Sequence, residues 1–148
     1  MIETLREKEA GNPLKCVQCG SCTSACPVNR IQEGFNPRRI VGSLSRFNRI
    51  PDQDPWLCST CSLCSERCPQ GVDPLSIILV LRAVLYENGG KAPEEVLKMV
   101  EQVKETGLAF PPTLESRERR RLLGLPDAGL GAEGLREVRR ILSEAGFK

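Results

Sequence analysis

The residues with chemistry to offer are cysteines. Cys16, Cys19, Cys22 and Cys26 form a C-x-x-C-x-x-C-x-x-x-C run closed by Pro27, and Cys58, Cys61, Cys64 and Cys68 repeat it ahead of Pro69. All 8 cysteines of the chain lie in these two runs. Each cysteine of the first run has a counterpart at one fixed offset (58 − 16 = 42, and the same for the other three). Thiolates in such density are ligands for metal or redox chemistry, or else halves of disulfides, and the spacing decides between these.

The spacing is the ligand pattern of a bacterial-type two-cluster ferredoxin, in which the fourth cysteine of each run reaches the other cluster. Three cysteines two residues apart wrap one face of a cube, and the proline after the fourth ends the wrap. The expected ligand sets are Cys16, Cys19, Cys22 and Cys68 for cluster 1, and Cys58, Cys61, Cys64 and Cys26 for cluster 2. Two [4Fe–4S] clusters use all eight thiolates and leave no iron with an open position. Electron transfer is therefore the expected role, with no catalytic site on this chain. Between the cysteines stand small or polar residues, Gly20, Ser21, Ser59, Thr60 and Ser62. Their hydroxyls and backbone amides suit hydrogen bonds to sulfur, and small residues are also simply what fits around a cube. Zinc sites usually pair C-x-x-C knuckles across a longer loop, which is not this pattern.

Composition narrows the role further. Histidine is absent, which removes the usual general base and excludes a Rieske-type centre. Aromatic residues make up only 4% and the net charge is +2, so nucleic acid is not an expected partner. The first residues alternate acid and base with no apolar stretch, unlike a secretory signal, and a cytoplasmic, reducing setting fits the thiols. The longest apolar run, Ile77–Leu81, ends at Arg82 and is too short to span a bilayer.

The elements that must position the cysteines read as helices. A short turn is expected around Thr4 to Glu9. Asn36–Pro37 pairs a capping residue with a proline at the first helical position, so a helix starts there and runs to about Asn48. Ile40, Val41, Leu44 and Phe47 give it one apolar face. Asp54–Pro55 starts a turn that carries Trp56 and Leu57 into Cys58. Trp56 is either a shield for cluster 2 or an ordinary core aromatic. Asp73–Pro74 repeats the cap-plus-proline signal before a helix to about Asn88 that is apolar nearly all round, and so is expected to be the buried core helix beside the clusters. Pro93–Glu94–Glu95 opens another helix with a stripe of Val96, Leu97, Val100 and Val103, ended by Gly107. Phe110–Pro111–Pro112 divides the chain into an expected domain 1–110 and a C-terminal extension 111–148. The extension holds a short helix from Thr113 to Leu123, a Gly- and Pro-rich linker and a helix from about Ala132 to Ala145 faced by Leu135, Val138, Ile141 and Leu142. The basic run Arg117–Arg121 reads as a solvated helix face or as a docking patch for an acidic partner. No segment alternates with the period of a strand, so the fold class is all-α.

Ordinary bacterial ferredoxins are short and contain strands, whereas helices follow both motifs here. The chain resembles the α-helical ferredoxin domain of succinate dehydrogenase and fumarate reductase iron–sulfur subunits, and more closely the iron–sulfur C subunit of heterodisulfide reductase. The resemblance is carried by Cys16–Val17–Gln18–Cys19–Gly20–Ser21–Cys22–Thr23, by Asn36–Pro37–Arg38, and by Trp56–Leu57–Cys58–Ser59–Thr60–Cys61 through Glu66–Arg67–Cys68–Pro69–Gln70–Gly71–Val72–Asp73. It covers about the first two-thirds of the chain, and the C-terminal end at Gly146–Phe147 is similar too. The resemblance implies an electron wire between a flavin-containing subunit and a disulfide-reducing subunit with C-C-G motifs. This chain has no adjacent cysteine pair and no cysteine after Cys68, so that catalytic half is expected on another chain. Two other roles are weighed beside this one: the iron–sulfur subunit of a membrane-associated dehydrogenase or quinone reductase, and a zinc-binding interaction module.

Overall fold

The structure, a computed structural model, describes residues 2–7 and 9–146; Phe147 lies outside them. Among the described residues the chain is helical and contains no strand. It divides into two compact units, Met1–Ala92 and Pro93–Lys148.

The first unit is built on two helices with the same start signal. α1 (Ile2–Glu7) opens the chain, and a 3-10 turn at Pro13–Lys15 leads into the first cysteine run. α2 (Ser21–Ala25) and α3 (Pro27–Ile31) are single turns inside and just after that run. α4 (Pro37–Phe47) begins where Asn36 accepts a hydrogen bond from the Arg39 backbone N–H, and ends at Asn48, which takes the left-handed conformation with φ 47°. A 3-10 turn at Pro55–Leu57 enters the second run, and α5 (Leu63–Glu66) matches α2 within it. α6 (Pro74–Glu87) begins at Asp73. The expected helix near Thr4–Glu9 lies slightly earlier, and the helices at Pro37 and Pro74 stand where their caps place them.

The core is the seam between α4 and α6. Ile40, Val41 and Leu44 meet Ile77, Ile78 and Leu81, joined by Leu5, Ala10, Phe35 and Val72. Full burial of one such aliphatic side chain contributes about 1.5–3 kcal/mol, so this seam is the main stabilising contact of the unit. Two expectations are corrected here. α6 is not buried all round, because Leu79 is 44% exposed and only the face bearing Ile77, Ile78, Leu81 and Val84 is covered. Phe47, the last residue of α4, lies beyond the seam and is exposed. Phe35 is instead the core's fully buried aromatic.

The loop between α1 and the first 3-10 turn is fitted closely against the start of α6. Gly11 has φ +65°, and a Cβ there would collide with the Asp73 carbonyl oxygen. The Gly11 carbonyl in turn accepts from the Asp73 N–H at 3.0 Å.

The second unit holds α7 (Glu94–Thr106), α8 (Leu114–Leu122) and α9 (Ala132–Glu144). α7 packs on α9, and Arg139 Nε donates to the Lys104 carbonyl at 2.9 Å. Gly107 takes φ +73° at the end of α7, where a Cβ would meet Leu130 at 2.5 Å. None of the described residues of this unit is buried. α7 pairs with α9 within the second unit, and the division between the two compact units falls at Ala92–Pro93. Among the described residues, no helix is long and apolar enough to cross a membrane.

Asp73 is more than a cap. Its carboxylate accepts from the Ser76 backbone N–H at 3.2 Å and from the hydroxyls of Ser76 and of Ser65 on α5, tying the second cysteine run to α6. Burial pushes its acidity toward weaker values, but these hydrogen bonds together outweigh burial and hold its pKa below the ordinary aspartate value. The stabilisation is thus present above the unfolded-state pKa near 3.9 and is lost as pH falls through the lowered folded value. Asp73→Ala is expected to lower unfolding free energy by about 1–2 kcal/mol at neutral pH. Chemical denaturation should show that difference shrinking toward pH 2, and a difference that grows on acidification would contradict this account.

Candidate metal centre

The cysteines line two cavities. Cys16, Cys19, Cys22 and Cys68 line one of about 350 Å³, with Gln18, Arg38, Val41, Val72 and Pro74 on its walls. Cys26, Cys58, Cys61 and Cys64 line the other, of about 300 Å³, with Val28, Phe35, Pro37, Leu75 and Ile78. Each cavity therefore takes three cysteines from one run and the fourth from the other. All eight sequence-predicted site residues are brought to these two places, and all eight are free thiols.

Local backbone geometry explains how each run wraps its cavity. Gln18 and Gly20 in the first run, and Thr60 and Ser62 at the same offsets in the second, all have positive φ: 59° and 90°, then 54° and 66°. Two left-handed residues in quick succession curl the chain so that successive cysteines face one point. Gly20 and Ser62 are also the residues immediately before α2 and α5, so the curl passes directly into a helical turn. These helices pack on each other, which sets the two cavities side by side. The Cys22 thiol is close enough to oppose the ionisation of Cys64.

Several donors point at sulfur. Gln18 Nε2 donates to Cys16 Sγ at 3.1 Å, the Val72 N–H to Cys68 Sγ at 3.3 Å, the Thr60 N–H to Cys58 Sγ at 3.4 Å and the Asn29 N–H to Cys26 Sγ at 3.5 Å. Cys19 Sγ lies 3.4 Å from Ser21 Oγ, and this hydroxyl lowers the Cys19 pKa. Burial acts the other way deeper in: it raises Cys22 and pushes Cys64 up to about 11. Burial thus opposes a thiolate at Cys64, which a bound cation would offset.

The donor set fits an iron–sulfur cluster. Four thiols with amide donors aimed at sulfur line each cavity, as cluster sites require. Among the described residues, no three Cys, Asp or Glu side chains converge closely enough for a single ion.

A family model described as a 4Fe-4S dicluster domain matches residues 13–72. The chain is 40% identical over 124 residues to the C subunit of the ferredoxin/F420H2-dependent CoB-CoM heterodisulfide reductase of Methanosarcina acetivorans, an overlap that covers 82% of this chain and 75% of that one. The chain belongs to the family of heterodisulfide reductase C subunits. The corresponding ferredoxin-dependent protein of Methanosarcina mazei is also 40% identical, over 80% of this chain and 74% of its own. A Methanococcus maripaludis C2 subunit, named for an H2/formate:CoB-CoM heterodisulfide,ferredoxin reductase, is 30% identical over 95% and 79%. The match to a 4Fe-4S dicluster domain makes this family member an iron–sulfur protein.

Sequence reasoning missed three contributors to the site. Gln18 stood unremarked between two cysteines, although an amide side chain there has a sulfur within reach. Phe35 closes the second cavity from a loop without periodicity. Arg82 lies on α6 and donates to the carbonyls of Pro55 at 3.0 Å, Trp56 at 3.5 Å and Cys58 at 2.5 Å. Its guanidinium also stands 5.1 Å over the Trp56 ring. Trp56 is half-buried and serves as this platform; it is absent from the residues lining the second cavity. Three carbonyls within one short turn are a poor site for an apolar side chain, and the planar fork of arginine answers all of them. Arg82→Met is expected to cost about 1.5–3 kcal/mol of stability, the range for hydrogen bonds to a charged group. Arg82→Lys should recover part of that cost, and urea unfolding that finds the Met variant as stable as wild type would refute the role.

Proposed function

We propose that this chain is a two-cluster electron wire in a heterodisulfide-reductase-type complex, carrying electrons between a flavin-containing subunit and a disulfide-reducing subunit with C-C-G motifs. Cluster 1 is held by Cys16, Cys19, Cys22 and Cys68, and cluster 2 by Cys58, Cys61, Cys64 and Cys26. The observation that carries this reading is the pair of adjacent cavities, each lined by four cysteines drawn from both runs. When bound, two [4Fe–4S] clusters supply one-electron carriers close enough to exchange an electron. The protein's own part is to fix their separation through the α2–α5 contact, to aim amide donors at the sulfurs, and to exclude water from the second cavity with Val28, Phe35, Leu75 and Ile78. No cysteine remains for a catalytic site, so disulfide chemistry belongs to a partner chain. The names of the relatives, C subunits of CoB-CoM heterodisulfide reductases, support a multi-subunit setting.

Anaerobic purification should give a brown protein with about eight irons and eight sulfides per chain. Cys68→Ser is expected to damage the cluster shared with Cys16, Cys19 and Cys22 while the other retains its electron paramagnetic resonance signal, and Cys26→Ser should do the reverse. Affinity capture of the native complex should bring down a flavin protein and a C-C-G protein. A colourless zinc protein would refute the cluster reading, and a native complex with no C-C-G chain would refute the proposed place in the wire.

A further inference from the structure

The two cavities are near repeats in backbone and cysteines, yet their side-chain donors to sulfur differ: Ser21 beside Cys19 has Leu63 at the matching position, and Gln18 beside Cys16 has Thr60. Gln18 Nε2 reaches two acceptors, Cys16 Sγ at 3.1 Å and the Arg38 carbonyl at 3.2 Å. The carbonyl on α4 thus holds the amide against the sulfur. In the second run Thr60 occupies the matching position, and there the donor to Cys58 Sγ is the Thr60 backbone N–H at 3.4 Å. The threonine hydroxyl turns away to the Ser59 carbonyl. A side-chain donor is therefore a feature of Gln18 that Thr60 does not share.

Room for that side chain comes from α4. A Cβ on Gly42 would lie 2.9 Å from Gln18 Nε2, 3.0 Å from its Oε1 and 3.1 Å from its Cδ. Glycine inside a helix is unfavourable compared with alanine, yet α4 carries one at the buried position that faces the Gln18 amide. The crowded atoms are the far end of a flexible side chain, so alanine at position 42 would push the amide aside and leave the helix in place.

Resting on the proposal that Cys16 holds a cluster, we infer that Gln18 raises the reduction potential of the cluster in the first cavity, with Gly42 as the positioning residue that lets it do so. The physical reason is charge. A ligating sulfur becomes more negative when its cluster takes up one electron from a reductant, and an N–H donor binds the more negative sulfur more strongly. The donor therefore stabilises the reduced form. The walls of the second cavity are more apolar, with Val28, Phe35, Leu75 and Ile78, and a low-dielectric wall disfavours the added charge. Both effects place the first cavity's cluster at the higher potential of the two.

The test is a redox titration of the loaded full-length chain with dithionite, followed by electron paramagnetic resonance, on wild type, Gln18→Leu, Gln18→Glu, Gly42→Ala and the Leu/Ala double variant. Gln18→Leu is expected to lower the midpoint of one cluster and leave the other where it was. Gln18→Glu, which keeps the shape but replaces the donor with a negative charge, should lower the same midpoint further, and it carries the test if leucine hinders loading. Gly42→Ala should lower that midpoint while helix content and melting temperature hold. The double variant should move no further than Gln18→Leu alone, because both changes remove one bond. Intact signals with unmoved midpoints in the Gln18 variants would reduce Gln18 to a brace for the Arg38 carbonyl. A fully additive double variant would overturn the role of Gly42. A wild-type chain without [4Fe–4S] signals would instead overturn the cluster reading on which the inference stands.

Discussion

Each cysteine cavity is closed by a residue from the other half of the chain, and the rest of the first unit follows from that constraint. Cys68 completes the cavity begun by Cys16, Cys19 and Cys22, and Cys26 completes the one begun by Cys58, Cys61 and Cys64. Neither cavity can form unless both runs are held in one place. The α4–α6 seam does this, since each of those helices follows a run and starts at a fixed cap. Asp73 strengthens the link by joining α5 to α6, and Arg82 by holding the carbonyls that lead into Cys58. The hydrophobic core and the thiol sites are thus interdependent: Cys26 is itself a member of the core cluster, and Cys16, Cys58 and Cys68 pack against it.

How much of this the sequence reveals depends on the length scale of the signal. The cysteine spacing specifies a partner for every thiol, and the crossed grouping of Cys26 and Cys68 is the grouping around the two cavities. Asn36–Pro37 and Asp73–Pro74 locate helix starts to the residue because capping is a local hydrogen bond. The single-turn helices α2, α3 and α5 escape because four or five residues cannot display a 3.6-residue period. Periodicity misleads at α6, where a nearly continuous apolar run hides the fact that Leu79 faces outward. Gln18, Phe35 and Arg82 escape for another reason. Phe35 and Arg82 act on residues brought near only by folding, such as Ile78 or Pro55. Gln18 is fixed against its neighbour Cys16 by the Arg38 carbonyl, likewise brought near by folding. No spacing within the chain announces such contacts.

The second unit shows what helical signals establish on their own. Its three helices stand close to where capping and apolar stripes indicate, yet none of their described side chains is buried. Much of the charge on α8 is spent within the unit: Arg119 pairs with Glu115 and Arg121 with Glu118, both at 2.7 Å, while Arg120 donates to the Pro126 carbonyl. Exposed pairs of this kind contribute a few tenths of a kcal/mol each. They stabilise the helix without creating a core, and they give the basic run Arg117–Arg121 a local structural use.

The backbone of the two runs carries strain that the rest of the first unit must offset. Gln18, Thr60 and Ser62 hold left-handed conformations that cost a non-glycine residue about 1–2 kcal/mol each, a burden greatest for the β-branched Thr60. Burial adds to it by opposing the thiolates of Cys22 and Cys64. Together these are a sizeable fraction of the roughly 5–15 kcal/mol by which a domain is stable. The opposing contributions on the protein side are the α4–α6 seam and the hydrogen bonds at Asp73 and Arg82, none of which depends on a bound group. The strain of the wrap is thus offset by contacts outside the two runs. This explains why the donors that touch sulfur differ between the runs while the curl does not. The curl is required by wrapping, whereas a donor such as Gln18 is free to vary and so to distinguish two otherwise equivalent sites.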